Sequence, residues 1–121
     1  MSYSTKYDAQ ADFITIEVKQ AINAHLVRQI SHDVIRLAKE HNCFLILTDA
    51  REATVSLSTV ELYDLPKLIQ EVALELETQV QSFKRALVVS RDIDDFTFFE
   101  TVSRNSSQKV KLFRDVNEAR K

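Results

Sequence analysis

Residues 44–47, Phe-Leu-Ile-Leu, form an apolar run with no polar side chain at alternate positions. Such a run fits a strand buried on both faces, the pattern of a parallel sheet covered by helices. The chain leaves it through Thr48, Asp49 and Arg51 and reaches Ser58-Thr59-Val60-Glu61, where Ser58 and Glu61 have the spacing of a capping box that opens a helix. A buried strand, a polar exit loop and a capped helix make one half of a βαβ unit. In open α/β folds, binding surfaces gather at the carboxyl ends of such strands. Residues 49–63 are therefore where a site is expected.

The 121 residues contain no glycine. That excludes a Walker-type phosphate loop, a dinucleotide fingerprint and a Gly-x-Ser-x-Gly elbow, each of which needs glycine's backbone freedom. Left-handed turn positions must fall to Asn and Asp. Asn42 and Asn105 are the expected examples. The length suits one domain spanning residues 1–121 with its own core, and 45% apolar with 28% charged residues is ordinary for a globular protein. Sixteen basic residues nearly balance eighteen acidic ones. A net charge of -2 gives no electrostatic case for nucleic acid or an anionic membrane. No apolar run is long enough to span a bilayer. The polar start MSYSTKYDAQ does not read as a signal peptide, and the lone Cys43 cannot form an internal disulfide, so a cytoplasmic location is expected.

Periodicity supplies the remaining elements. Residues 3–8 read as an edge strand, and Ala9 to Asp12 as a turn. Phe13 to Lys19 alternates, placing Ile14, Ile16 and Val18 on one face. Asn23 can cap a helix running to about His41, with Leu26, Val27, Ile30, Val34, Leu37 and Ala38 at helical spacing and Asn42 closing it. After the strand of Phe44 to Thr48, a helical turn begins near Thr59. Pro66 either kinks that helix or starts a new one, and Lys67 to Val80 buries Leu68, Ile69, Val72 and Leu76. Arg85 to Ser90 is a second buried strand. Asp92 or Asp94 caps a helix with Phe96, Phe99 and Val102 inward. Lys109 to Phe113 is a last strand, and Asp115-x-x-Glu118 opens a short final helix. The expectation is an α/β fold: a mixed sheet of four to five strands, with crossover helices outside and the strands of Phe44 and Arg85 central, parallel and adjacent.

In this order of elements the chain resembles the STAS domain, the SpoIIAA-like fold of bacterial anti-sigma factor antagonists. It is more closely similar to small bacterial proteins of STAS/SEC14-like type. The resemblance is carried by Thr48-Asp49-Ala50-Arg51, by the helix Ser58 to Pro66, by Asp95 to Val102 and by Phe113 to Ala119. It covers nearly the whole chain. Such relatives usually carry glycine near Ile22 and after the third helix, which this chain lacks. The resemblance implies a protein-interaction module that regulates a partner. It also implies a phospho-acceptor at the start of the helix after the central strand, where the nearest residue is Ser58, with Thr59 beside it. Leu57 stands where those antagonists have Asp before the serine.

Read from the residues alone, Ser58 is an N-cap. A phosphate there would still meet free backbone N–H groups and the positive end of a helix dipole. Asp49, with Arg91, Asp92, Asp94 and Asp95, would share one rim if the two central strands are parallel neighbours. Those carboxylates suit a basic partner surface or a hard cation. They suit equally well helix caps and ion pairs with Arg51 or Arg91, and their spacing matches no calcium loop. His25, His32 and His41 are too scattered for a metal, and Cys43 reads as a small core residue. Phe98 and Tyr63 could line an apolar pocket or a dimer contact.

The expected function is a partner-binding regulatory module working through Asp49, Arg51, Ser58, Thr59, Tyr63, Asp92 and Asp94, with an unnamed protein as partner. The alternative is a carrier or sensor of a small apolar or anionic ligand bound in the same region. No nucleophile–base pair or metal-ligand spacing appears, so neither catalysis nor a cofactor is expected.

Overall fold

The computed structural model describes residues 3–106, 108–114 and 119. The elements in chain order are β1 (Tyr3–Asp8), β2 (Phe13–Val18), β3 (Ala21–Ile22), α1 (Ala24–His41), β4 (Leu45–Ala50), β5 (Thr54–Val55), α2 (Thr59–Glu75), a 3-10 turn (Val80–Ser82), β6 (Lys84–Val89), α3 (Ile93–Asn105) and β7 (Lys109–Phe113). The final helix expected from Asp115 lies outside the described residues, apart from Ala119.

Five strands form one mixed sheet in the order β1-β2-β4-β6-β7. β1 is antiparallel to β2, and every other neighbouring pair is parallel. β4 and β6 are adjacent and interior, as their apolar sequences require. From β2 onward the order advances in one direction. Right-handed crossovers therefore set α1, α2 and α3 on the same face. The register agrees with this. Ile14, Ile46, Arg85 and Val110 stand side by side in one row, and Ile16, Thr48, Leu87 and Leu112 in another. Their apolar members pack with Val34, Ile35, Leu62, Leu65, Phe96 and Phe99 of the helices.

The expectation of a strand buried on both faces needs correction. On the face away from these helices, Leu47 and Val88 are buried, but Leu45 is 47% exposed. Exposed Lys84, Lys109 and Lys111 border them. The sequence run is apolar because its centre is enclosed from both sides, not because its whole length is.

Local chemistry sets the element ends. Asn23 Oδ1 accepts from the Leu26 N–H at 2.8 Å and starts α1. Asn42, at φ 52, ends it, and the Cys43 N–H reaches back to the Ala38 carbonyl at 3.0 Å. Glu77, not Asn105, provides another left-handed position, at φ 57, with Asp12 and Asp92 the remaining ones among the described residues. Asn105 is the last residue of α3. Glu77 closes α2 because its N–H reaches the Leu74 carbonyl and the Thr78 N–H reaches Ala73. This paired closure stops the helix at Glu75 rather than Val80. Pro66 neither starts a new helix nor ends one. It sits inside α2, fully buried, where its missing N–H leaves the Leu62 carbonyl without the usual partner.

Candidate functional site

Two regions compete as the site: the rim at the carboxyl ends of β4 and β6, and the space between the sheet and its helices.

At the rim, Asp49 and Arg51 form a two-pronged ion pair. Arg51 Nε donates to Oδ1 at 2.9 Å and Nη2 donates to Oδ2 at 2.7 Å, while the Arg51 backbone N–H also reaches Oδ1. The guanidinium holds the Asp49 carboxyl below its ordinary value of 3.8, against the opposing pull of partial burial. The Ser90 hydroxyl donates to the Arg51 carbonyl at 2.7 Å. Glu17, Glu52 and Arg91 complete a shallow dip around this pair. Asp94 and Asp95 are not part of it. They lie in the first turn of α3, whose dipole they complement.

Asp92 precedes α3 but does not cap it in the expected way. It adopts a left-handed backbone at φ 49, and its side chain makes no bond to the helix start. Its carboxylate instead accepts from the Val55 N–H at 2.8 Å. That bond ties α3 to the two-residue ribbon in which Ala21–Ile22 pairs with Thr54–Val55. Ser58 and Glu61 form the complete capping box: Ser58 Oγ accepts from the Glu61 N–H at 3.2 Å, and Glu61 Oε1 accepts from the Ser58 N–H at 2.9 Å. Thr59, the first helical residue, is exposed. Of the seven site residues expected from sequence, the structure pairs Asp49 with Arg51 and gives Ser58 and Asp92 structural hydrogen bonds. Tyr63 is 64% exposed on the outer face of α2, one turn from Val60 at 70%.

Among the described residues, no three His, Cys, Asp or Glu side chains stand close enough to hold a metal. The His32 ring approaches Glu75, and the His41 ring stacks on Tyr7 at 4.0 Å. Cys43 is buried, and its thiol donates to the Asp12 carbonyl. No helix among them is long and apolar enough to cross a membrane.

The second region is a half-open apolar pocket of about 140 Å³ between the inner face of the sheet, all three helices and the β3–β5 ribbon. Among its lining side chains only Ser31, Thr48 and Arg85 carry polar atoms. Leu62, Leu65 and Ile69 line it from the inner face of α2, and Phe96 and Phe99 from α3. Neither Tyr63 nor Phe98 takes part. Phe98 packs half-buried against the core instead. The half-exposed lining residues Ile22, Val27, Val55 and Leu57 cluster where the ribbon meets the start of α1.

Arg85 was missed in the sequence as anything but the first residue of a buried strand. Its Nη2 donates to Gln108 Oε1, and Gln108 Nε2 donates to the Pro66 carbonyl at 2.8 Å. Gln108 is itself buried. The Arg85 side chain is half-buried as a whole, but its Nε is shut off from solvent and has no hydrogen-bond partner among the described residues. Burial pulls the guanidinium pKa down to about 10, which still leaves it a cation at neutral pH. A signal was present. In Arg85-Ala86-Leu87-Val88-Val89, strand alternation puts Arg85 in line with the core-facing Leu87 and Val89.

No family model matches this chain, and no curated protein is similar to it. A solved structure does match. It is an uncharacterised protein of the DUF3478 family with a SpoIIAA-like fold, from Shewanella loihica PV-4. Its TM-score is 0.56 at 15% identity, over 97% of this chain and 88% of that one. At that identity the likeness speaks for the fold alone, and the fold of this chain is SpoIIAA-like.

Proposed function

We propose that this chain is a binding module that takes a small apolar ligand between its sheet and helices and presents helix α2 to a protein partner. The observation that carries this reading is the two-sidedness of α2. Its inner residues Leu62, Leu65 and Ile69 line the cavity, while Val60 and Tyr63 project outward, largely exposed. A closed engineered cavity of similar size and lining accepts benzene. An exposed tyrosine such as Tyr63 is the kind of side chain that anchors protein interfaces, and Val60 beside it adds apolar area. Exposed Glu61 and Asp64 flank them, so the complementary partner surface is an apolar recess with a basic rim. The Asp49–Arg51 pair and the Ser58 box stiffen the entrance to α2 rather than offering open valences.

Benzene titration followed by methyl-resolved NMR tests the ligand half. Shifts at Leu62 and Ile69, with none at Leu45 on the far face, are expected. Unmoved cavity methyls at benzene saturation would sink it. Crosslinking in the native host tests the partner half. One protein should be captured by the parent and lost with folded V60E/Y63A. A partner retained by that variant removes the outer face of α2 from consideration. A second copy of this chain would be read in the same experiment by its mass.

A further inference from the structure

The chain carries nearly equal numbers of basic and acidic residues, yet the two are not mixed everywhere. An open pocket of about 510 Å³ at the amino-terminal ends of β6 and β7 is lined by Lys84, Arg85, Arg104, Lys109, Lys111 and Gln108, and by no carboxylate. Among the described residues none of these five cations makes an ion pair. Arg85 is held by the neutral amide of Gln108, and the Lys111 ammonium lies 5.4 Å from the centre of the Phe113 ring, so neither contact removes charge.

Ordinary roles cover part of this cluster. Lysines on an edge strand discourage its pairing with another sheet, which accounts for Lys109 and Lys111 on β7. Arg104, in the last turn of α3, complements the helix dipole. Neither role covers Lys84. It opens β6, an interior strand, and its register partner on β7 is Lys109. Paired positions on neighbouring strands stand about 5 Å apart on one face of the sheet. Two ammonium groups set abreast repel, and no carboxylate of the lining offsets them. Lys111 follows two residues along the same face, opposite the small Ala86. Arg85 and Arg104 add charge from the side that carries the helices. An anion seated among them turns this repulsion into attraction.

The charge of the lining narrows the anion. A single carboxylate leaves most of the five cations unmet. Phosphate oxygens accept from lysine and arginine alike, and a phosphate ester carries roughly -1.5 to -2 near pH 7. Two phosphates therefore approach the charge of the lining. A long polyanion fits less well, because five cations gathered here leave the rest of the chain more acidic than its net charge of -2.

We propose that this pocket binds a small molecule through a diphosphate or bisphosphate group, with Lys84 and Lys109 as the central contacts. The proposal does not rest on the apolar pocket under α2. Pyrophosphate and orthophosphate, titrated into the full chain at equal ionic strength and followed by lysine side-chain NMR, test it. Pyrophosphate should saturate, shift Lys84, Lys109 and Lys111, and bind about tenfold or more tighter than orthophosphate, as expected when further hydrogen bonds between charged groups are made. K84A/K109A should lose about tenfold or more of that affinity. K6A/K67A, which removes the same charge from exposed positions of β1 and α2, should bind as the parent does. Equal binding of the two anions overturns the two-phosphate assignment. Equal losses in the two variants, or shifts spread over all lysines, reduce the effect to net charge and overturn the site, as does a lack of saturable binding. The backbone spectrum of K84A/K109A checks its fold, and should it fail, the parent shifts decide. Phosphatidylcholine vesicles with and without a bisphosphorylated phosphoinositide separate the two sources of such a group. Sedimentation with the phosphoinositide vesicles, reversed by pyrophosphate, assigns a lipid headgroup, and pyrophosphate binding without sedimentation assigns a soluble ligand. A single-stranded oligonucleotide that binds the same lysines more tightly than pyrophosphate overturns the small-molecule assignment.

Discussion

The rim above β4 and β6 and the chamber beneath α2 differ in how their polar groups are spent. At the rim, charge is plentiful and much of it is already paired. Asp49 holds Arg51, Asp92 holds the Val55 N–H, and Ser58 and Glu61 hold each other's backbone. In the chamber, polar atoms are few: among its lining side chains only Ser31, Thr48 and Arg85 carry any. A dense set of charges therefore marks the place where the loops are tied down. The apolar lining marks the place where side-chain packing is left incomplete.

The sharpest way to break this comparison is at Gln108. Q108L strands the Arg85 Nη2 and removes the side-chain bond to the Pro66 carbonyl, which keeps its helical position inside α2. It should cost about 2 kcal/mol in urea denaturation, as expected for one hydrogen bond to a charged donor left unmade. A cost near zero would mean that water replaces Gln108 at the guanidinium.

At the rim the expected losses are smaller. S58A removes one side of the capping box and should cost about 1 kcal/mol, whereas S58D, also a good cap, should stay close to the parent. Equal losses in both would show that the box contributes through something other than the acceptor.

R85M should fall within about 1 kcal/mol of the parent in the absence of ligand. Removing a half-buried, incompletely paired charge offsets the orphaning of Gln108 Oε1. A loss as large as that of Q108L would make Arg85 a structural keystone rather than a spare donor.

The smallest effect is a pH dependence at Asp49. Its folded pKa lies below the ordinary 3.8, so its contribution is fully present above that value and is lost as pH falls through the lower folded value. The Arg51 side chain is 48% exposed, so screening keeps the term small. The acid limb of the urea midpoint should flatten slightly in D49N. An unchanged limb would show that the ion pair contributes nothing to stability.

Much of the scaffold was legible because it depends on local rules. Alternation in Phe13 to Val18, helical spacing behind Asn23, the Ser58–Glu61 box and the continuous apolar runs at Phe44 and Leu87 each reflect periodicity or capping. Those patterns correspond to a five-stranded mixed sheet with β4 and β6 inside. They also pointed to residues 49–63, where Asp49 pairs with Arg51 and Ser58 with Glu61. Asp92 looked like a helix cap, because nothing local reveals that its carboxylate will meet Val55, 37 residues away. The β3–β5 ribbon was invisible because two residues have no period. Glu77 carries no propensity for a left-handed backbone, and the helix closure imposes it.

The chamber belongs entirely to the tertiary level. Its walls come from β2, β4, β6, β7, three helices and the ribbon, and its volume is the small mismatch left when their side chains meet. No residue type encodes a void. Arg85 stood in the sequence at a core-facing position of a buried strand, a local conflict that could be read there. Whether that conflict ends in a neutralising carboxylate or a vacant donor is set by which chains fold over it. Here those are Gln108, just before β7, and Pro66 from the middle of α2, and neither brings a negative charge.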